Sequence, residues 1–307
     1  GEDSLPAISG EGWINYVPAL FQGGRSMMNK ILLNLDGKSC RIHIGHGILG
    51  RVGTLISEIM PAQRFAIITN PTVNSLYGKQ VAQSLEAAGF GCAIFEIPDS
   101  ETSKSLDEAK KLYKDLAEKG FDRDSCIIGL GGGVAGDLAG FVAATYMRGI
   151  CLIHIPTTLL AQVDSAIGGK TGVNIPEGKN LVGAFHQPAM VISDVNTLRT
   201  LPENDFRSGL AEIVKYGMAF DTEFFSSLEK NAHRIIERDG TTLAKAVTAC
   251  STIKARIVEE DEKDHGKRLV LNYGHTLGHA LEAASGYTKY RHGEAVTIGM
   301  LFAARVA

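Results

Sequence analysis

Three histidines and two glutamates fall within one short stretch, Leu269–Glu294. His275 and His279 are four residues apart, so on a helix they share one face. Imidazoles presented in this way are ligands suited to Zn²⁺ or a similar divalent ion. The alternative is that one histidine caps or packs the helix while another is exposed. The nearby His292 and carboxylates favour a metal site, although composition and spacing leave both interpretations open.

A second pair of polar residues lies in the stretch GLAEIVKYG, where Glu212 and Lys215 are three residues apart on one helical face. An isolated pair at this spacing is ordinarily a salt bridge on a solvated surface, contributing about 0.2–0.5 kcal/mol. The other interpretation is that Glu212 supplies the carboxylate of a catalytic zinc site with two histidines, which leaves positions open for substrate oxygens.

Glycines interrupt an apolar strand in Cys126–Asp137, and a helical stretch follows them. Gly131, Gly133 and Gly136 match the pattern G-x-G-x-x-G, in which backbone N–H groups approach a pyrophosphate at a helix N-terminus. No acidic residue ends the following strand to hold a ribose, so a tight turn without a ligand is the alternative. The placement between strand and helix favours phosphate or dinucleotide binding.

Other polar loops follow predicted strands. Asp99–Lys104 either caps a helix or forms a ligand loop at the carboxyl edge of a parallel sheet. Gly168–Gly172, which includes Lys170, resembles an anion cradle but lacks Walker A spacing. A surface loop would explain any one of these features. Arg148, Lys170 and Lys179 together on such loops indicate an anionic, phosphorylated substrate.

A layered scaffold must position these side chains. From Asn29 to about Val195, β-branched runs alternate with amphipathic stretches such as Val73–Ala88 and Ser105–Lys119, which predicts βαβ units and a mostly parallel sheet. The predicted strands are Ile31–Leu35, Arg41–Ile44, Phe65–Thr69, Cys92–Ile97, Ser125–Gly129, Cys151–Ile155 and Met190–Ser193. The segments predicted as helices beyond Leu201 are Asp205–Met218, Glu223–Ile236, Thr241–Asp261, Gly274–Ala284 and Gly293–Val306. The acidic segment Asp261–Lys267 is expected to be a solvated turn.

The length of 307 residues predicts two domains, at 29–200 and 201–307, with residues 1–28 a flexible leader or added segment. The second domain stops inside an apolar helical pattern, so we expect it to be truncated at its C-terminus. A net charge of −3 gives no reason to expect nucleic acid or an anionic membrane as a partner. Five scattered cysteines and the lack of an 18-residue apolar run fit a cytoplasmic protein.

Taken together, these segments resemble the 3-dehydroquinate synthases, of the sugar-phosphate cyclase family, from about Asn29 to Ala307. The most specific motifs are GGGVAGDLAGFVAATYMRG, IPTTLLAQVDSAIGGKTGVN, KNLVGAFHQP, GLAEIVKYG and LNYGHTLGHALE followed by RHGEAV. The resemblance implies an α/β plus all-α protein. Its N-terminal domain would be Rossmann-like, with helices on both faces of a mostly parallel sheet. A helical C-terminal domain would close the active-site cleft.

The resemblance also implies bound NAD and one Zn²⁺, with Co²⁺ as a substitute, held by Glu212, His275 and His292. It thereby replaces the pairing of His275 with His279 that spacing favours, and makes His279 an acid–base or substrate-side residue. The implied NAD contacts are Asn70, Thr72, Glu101, Lys104, Gly132, Gly133, Val134, Asp137, Thr157, Thr158, Asp164, Lys170, Lys179, Thr197 and Thr200. The implied substrate or catalytic residues are Arg148, Asp164, Lys170, Asn180, Lys215, Lys254, Arg268 and Asn272. The loop of Asn70 and Thr72 departs from the family's usual acidic residue.

The implied activity is a carbon–oxygen lyase reaction of the shikimate pathway of aromatic amino acid biosynthesis. It converts 3-deoxy-D-arabino-heptulosonate 7-phosphate to 3-dehydroquinate and phosphate by transient oxidation, elimination, reduction and aldol closure. Another cyclase, such as a 2-deoxy-scyllo-inosose or valiolone synthase, is an alternative, although Asn272 and Lys254 count against it. A metal-dependent NAD polyol dehydrogenase and a non-catalytic binding protein are the others. The expected assembly is a homodimer.

Overall fold

The computed structural model describes residues 28–59, 64–286 and 289–306, so the predicted leader at 1–28 lies outside the described residues except for Met28. The strands are β1 Met28–Leu35, β2 Lys38–Gly45, β3 Arg64–Thr69, β4 Gly91–Glu96, β5 Cys126–Gly131, β6 Cys151–Pro156, β7 Lys170–Ile175, β8 Gly178–Phe185 and β9 Met190–Asp194. The α-helices are α1 Val52–Ser57, α2 Pro71–Val73, α3 Lys79–Ala87, α4 Leu106–Glu118, α5 Gly133–Thr145, α6 Glu203–Phe220, α7 Thr222–Lys230, α8 Ala232–Ile236, α9 Gly240–Glu260, α10 His275–Ala284 and α11 His292–Val306.

Seven of these strands form one sheet in the order β1-β2-β9-β6-β5-β3-β4. Every pairing except the antiparallel hairpin β1–β2 is parallel. This confirms the α/β prediction, and each predicted strand of the sheet is present. Because parallel strands end at the same edge, the loops after β3, β4, β5, β6 and β9 converge there.

Both faces of the sheet are buried, which explains why its central strands are apolar without alternation. On β3, Phe65 and Ile67 pack in a core with α1 and α3. Their neighbours Ala66 and Ile68 point the other way, into a core with α4 and α5. Helices therefore cover both faces, as the family resemblance implied.

The helical C-terminal part packs against the β1–β2 end of the sheet. Leu33 and Ile42 from this hairpin share a core with Tyr216 of α6 and Val247 of α9. This contact places one end of α6 beside the converging loops. None of the helices in the described part of the chain is both long and apolar enough to cross a bilayer.

Two local predictions were wrong. Gly168–Gly172 is not simply a loop, because Lys170–Ile175 pairs with Gly178–Phe185 in a separate antiparallel hairpin. Glycine has a low β-propensity, so this glycine-rich sequence did not predict the two strands. The predicted helix Glu223–Ile236 is two helices, α7 and α8, which meet at Asn231; the amide of this residue binds the Ser227 carbonyl and so competes with helix continuation.

His154 packs closely against Gly129 of β5 and predicts a pH dependence of stability. A Cβ at Gly129 would approach its imidazole within 3.0 Å. Burial lowers the pKa of His154 from 6.5 to about 4, so the folded protein keeps the ring neutral. The unfolded chain takes up the proton first as the pH falls.

This contribution to stability is therefore complete above pH 6.5 and is lost as the pH falls towards about 4. At roughly 1.4 kcal/mol per unit of pKa difference, we expect a loss of about 2–3 kcal/mol. Urea unfolding of the wild type and of His154→Gln, followed across this range, should show a flatter pH profile for the variant. The exposed His233, changed to Gln, is the matched control; equal slopes in all three proteins would contradict the prediction.

Candidate active site

Two cavities open near the carboxyl edge of the sheet. The first, here called the sheet-edge cavity, has a volume of about 330 Å³. The residues predicted to bind NAD that line it are Asn70, Thr72, Gly132, Gly133, Val134, Thr157, Thr158, Thr197 and Thr200. They come from the loops after β3, β5, β6 and β9, so the strand order brings together segments that are far apart in sequence.

The glycine turn in this cavity joins β5 to the N-terminus of α5. Gly131 has φ +156°, and a Cβ at Gly132 would lie 2.9 Å from the Thr158 side chain. Side chains are thus excluded where the backbone N–H groups at the start of α5 face the cavity. This arrangement suits a phosphate or pyrophosphate group, because the helix dipole and the unpaired N–H groups both favour an anion.

Lys104 connects this region to the hairpin β7–β8. Its Nζ atom donates to Asp137 Oδ2 and to Asn180 Oδ1, both at 2.6 Å. Glu101 accepts a hydrogen bond from Asn174 of the hairpin at 2.9 Å. Lys104 is 4% exposed, so its charge is held between two loops and not in solvent. Asp99–Lys104 also caps a short turn through Ser100, and both sequence interpretations of this loop therefore remain.

The second cavity, here called the hairpin cavity, has a volume of about 660 Å³ and lies between β7–β8 and the helical part. Its predicted site residues are Asp137, Asp164, Lys170, Asn180, Lys254 and Arg268. Lys170 forms an ion pair with Asp264. Asp264 belongs to the segment predicted as a solvated turn. That prediction was wrong for this residue, since Asp264 lines the cavity.

A buried polar network forms the floor of the hairpin cavity. Lys254 Nζ donates to the side chain of Asp164 at 2.6 Å and to its carbonyl at 2.7 Å. Burial lowers the pKa of Lys254, against the attraction of Asp164. Burial would raise the pKa of Asp164, but Lys254 and Lys215 outweigh it and hold that pKa well below its usual range. The cavity therefore contains a fixed carboxylate and cations able to bind an anion.

Glu212 lies at the centre of a candidate metal site between α6, α10 and α11. Its Oε1 atom is 3.6 Å from His275 Nε2 and 3.4 Å from His292 Nε2. One ligand atom from each of the three residues lies within 4.8 Å of the others. Ligand atoms about 2.1 Å from a tetrahedral Zn²⁺ are roughly 3.4 Å apart, so these residues fit a divalent ion.

The surroundings of Glu212 also fit an ion. The residue is completely buried, and within the described ranges neither carboxylate oxygen accepts a hydrogen bond, although Lys215 forms an ion pair with Oε2. Burial alone would raise its pKa, but His292 and Lys215 lower it, so the carboxylate stays charged. The interpretation of Glu212 and Lys215 as a solvated surface pair was wrong, because Lys215 is only 1% exposed.

His279 is close to the cluster without joining Glu212. Its ring centroid is 5.3 Å from that of His275 and 6.1 Å from that of His292. It is exposed, and its ligand atoms group instead with Glu282 and His292. The structure thus brings together the triad implied by the resemblance, and His279 lies beside this triad without grouping with Glu212.

Besides Glu101, Lys104, Lys215 and the residues of the histidine cluster, three more predicted residues line neither cavity. Arg148 is exposed on the turn before β6, Asn272 is exposed on the turn Lys267–Asn272, and Lys179 is exposed on β8. For these residues a role in the site stays a prediction.

Sequence reasoning also missed Tyr216, whose OH group donates to Asp164 at 3.1 Å, and Glu282, which faces His292. Both follow a predicted site residue at helical spacing, and that was the available signal.

Known proteins are similar to this chain in sequence and in fold. Family models described as 3-dehydroquinate synthase N-terminal and 3-dehydroquinate synthase C-terminal match residues 94–208 and 209–307. A 3-dehydroquinate synthase of Desulforamulus reducens is 52% identical over 280 residues, covering 91% of this chain and 78% of the relative. One of Pelotomaculum thermopropionicum is also 52% identical over 280 residues, covering 91% and 76%.

Solved structures of related enzymes are similar to this chain in fold. A 2-deoxy-scyllo-inosose synthase complexed with carbaglucose-6-phosphate, NAD⁺ and Co²⁺ has a TM-score of 0.77 at 26% identity, covering 91% of this chain and 77% of that one. A 2-epi-5-epi-valiolone synthase from Streptomyces hygroscopicus with NAD⁺ and Zn²⁺ has a TM-score of 0.76 at 29% identity, covering 84% and 72%. A glycerol dehydrogenase from Schizosaccharomyces pombe, at 19% identity and a TM-score of 0.64, shares only the fold.

Both family models match the chain, and identity near 50% to the synthases is about twice that to the other cyclases. The chain belongs to the 3-dehydroquinate synthase family.

Proposed function

We propose that the protein is a 3-dehydroquinate synthase, which releases phosphate from 3-deoxy-D-arabino-heptulosonate 7-phosphate and closes the carbocycle of 3-dehydroquinate. The observation that carries this proposal is the position of the turn Ala161–Ser165 between all three parts of the site. Asp164 faces Lys254 of the hairpin cavity, and its charge also acts on Glu212 of the metal cluster. Ser165 Oγ lies 3.5 Å from where a Cβ of Gly133 would stand in the glycine turn.

The cations of the hairpin cavity bind the two anionic ends of the substrate. Lys170 is half exposed at the rim and can bind a phosphate, which is a strong acceptor for a charge-assisted hydrogen bond. Lys254 and the buried Arg268 lie deeper and suit the carboxylate. Asn180 donates from the hairpin and orients the hydroxyl groups between these ends. Holding both ends fixes the reacting carbon relative to the glycine turn and the metal cluster.

The cofactors supply chemistry that these side chains lack. NAD, held at the sheet-edge cavity, supplies a reversible hydride acceptor. Zn²⁺, or Co²⁺ in its place, held by Glu212, His275 and His292, supplies Lewis acidity towards the substrate oxygens. Beside it, Lys215 holds a buried positive charge, and the exposed His279 exchanges protons with solvent. Because the hydride is returned in each cycle, the net reaction is that of a lyase.

Phosphate release distinguishes this function from its alternatives. Purified protein, NAD and Zn²⁺ should release inorganic phosphate from the heptulosonate phosphate with no net NADH, and a chelator should stop the release. Stoichiometric accumulation of NADH would indicate a polyol dehydrogenase. Phosphate release from glucose 6-phosphate, but not from the heptulosonate phosphate, would indicate a 2-deoxy-scyllo-inosose synthase. Either result would refute the proposal.

Replacing Lys170 with alanine should weaken substrate binding by roughly 1.5–3 kcal/mol, the usual size of a charge-assisted contact. The measurement is the calorimetric Kd of the substrate with NAD and a metal chelator present, so that the substrate is not turned over. Lys110→Ala, which removes an exposed lysine of α4, is the control and should bind normally. Unchanged affinity in both variants would mean that Lys170 does not contact the substrate.

We further propose that the protein is a cytoplasmic homodimer. The five cysteines are free thiols, which suits a reducing compartment. Arg148 is exposed and lines neither cavity, so a contact between this residue and substrate requires a second copy of the chain. Light scattering gives the assembly directly. Mixed dimers of Arg148→Ala and His275→Ala chains should regain part of the activity that each variant lacks alone, and no recovery in a confirmed mixed dimer would refute this role.

A further inference from the structure

His292 presents its two ring nitrogens to two different carboxylates. Its Nε2 atom is 3.4 Å from Glu212 Oε1, and its Nδ1 atom is 3.6 Å from Glu282 Oε2. The Glu282 side chain is 13% exposed and reaches His292 from α10, whereas His292 begins α11. The separation of 3.6 Å exceeds a formed hydrogen bond, as is common for such contacts before a site is loaded.

The ring of His275 is oriented in the same way, but its acceptor is a backbone carbonyl and not a carboxylate. Its Nδ1 atom is 3.2 Å from the Tyr273 carbonyl oxygen, and its Nε2 atom is 3.6 Å from Glu212 Oε1. A neutral imidazole carries its hydrogen on only one nitrogen. An acceptor at Nδ1 therefore selects the Nδ1–H form and leaves the lone pair of Nε2 free for an ion. Both rings thus turn Nε2 towards the completely buried carboxylate.

We propose that Glu282 is a positioning residue for the metal site. It acts through His292: the carboxylate fixes the ring orientation and the Nδ1–H form, and this strengthens binding of the divalent ion at Nε2. The inference rests on the proposed metal site of Glu212, His275 and His292. For His275 a backbone carbonyl has the same role, so Glu282 is the part of this arrangement that substitution can remove.

A different cluster competes with this interpretation, because ligand atoms of His279, Glu282 and His292 also lie within 4.8 Å of one another. In that case Glu282 would be a ligand itself. Two observations favour the positioning role. His279 is exposed, whereas Glu212 is buried with oxygens that accept no hydrogen bond from the described residues. In the Glu212 cluster, each imidazole has an acceptor beside Nδ1.

Zinc binding to the metal-free full chain tests the proposal, measured by competition with a chromophoric chelator. Glu282→Ala should weaken Zn²⁺ binding about 10–100-fold, the usual effect of removing a residue that orients a ligand. Glu282→Gln keeps the volume and an acceptor oxygen but no charge, so its loss should be smaller. Glu229→Ala, which removes an exposed glutamate of α7, should bind as the wild type does.

Two spectroscopic signals report orientation and not merely folding. Nitrogen NMR should show His292 in the Nδ1–H form in the wild type and in Glu282→Gln, and a mixture of forms in Glu282→Ala. The visible bands of bound Co²⁺ should change in Glu282→Ala, because the ligand field depends on the direction of the Nε2 lone pair. If the alanine variant unfolds, Glu282→Leu, which fills the space without an acceptor, decides: unchanged affinity and an unchanged Co²⁺ spectrum would overturn the proposal.

The remaining outcomes separate this inference from the metal site on which it rests. Wild-type affinity in Glu282→Ala, together with lost binding in His275→Ala, would overturn the positioning role and leave the site intact. Wild-type affinity in both would refute the metal site itself. Lost binding in His279→Ala with retained binding in Glu212→Ala would assign the ion to the other cluster, and Glu282 would then be a ligand.

Discussion

Replacing Glu212 with alanine should abolish turnover, with a loss of at least about 10³-fold, and should leave the purified protein without stoichiometric metal. The variant retains two imidazole ligands, and a catalytic zinc site needs three protein ligands to hold the ion with an open position. The loss of the carboxylate also leaves the ammonium of Lys215, which is 1% exposed, without its ion-pair partner. We therefore expect a lower free energy of unfolding as well.

A second variant separates these two effects. His275→Ala removes one ligand but leaves the ion pair of Glu212 and Lys215 in place. It should lose metal and turnover as fully as Glu212→Ala while remaining more stable. The exposed His233, changed to alanine, is the control for histidine removal. Metal content after dialysis, turnover and urea unfolding are measured on all three; full turnover by Glu212→Ala or His275→Ala at trace metal would remove the metal assignment.

The sheet could be predicted because its signal is local. β-branched runs of strand length, separated by helical stretches, give each strand of the sheet to within a few residues. The hairpin β7–β8 gives no such signal. It packs against α5, and the Asn174 N–H donates to the Lys104 carbonyl. Local propensity contains no information on these contacts.

The metal site shows why spacing alone misleads. His275 and His279 share a helical face, yet the second imidazole comes from another helix and the carboxylate from a third. The burial of Glu212 and Lys215 could not be predicted from the sequence either. The two residues have the spacing of a surface salt bridge, and the pair is buried because α6 packs against neighbouring elements. The family resemblance predicted a triad whose side chains the structure brings together, because it contains tertiary information that a single pattern lacks.

Removing Lys254 should affect both stability and activity. Its ammonium is the main partner of Asp164, so among the described residues Lys254→Met leaves that carboxylate with the Tyr216 hydroxyl at 3.1 Å and the charge of Lys215. Removing one partner of a fully buried pair costs about 3–5 kcal/mol. The Asp164 side chain is still 29% exposed to the cavity, so solvation by water should reduce the loss of stability to about 2–3 kcal/mol. Turnover should fall at least about 10²-fold, because a cation that binds the substrate is also absent.

The double variant Asp164→Asn, Lys254→Met shows which loss is structural. It contains neither charge, so no buried carboxylate is left unpaired and most of the lost unfolding free energy should return. Activity should not return, because the substrate still lacks its cation. Urea unfolding and turnover of both single variants and the double variant complete the cycle. If the double variant regains turnover together with stability, then Lys254 only neutralises Asp164, and the carboxylate of the substrate must bind elsewhere in the hairpin cavity.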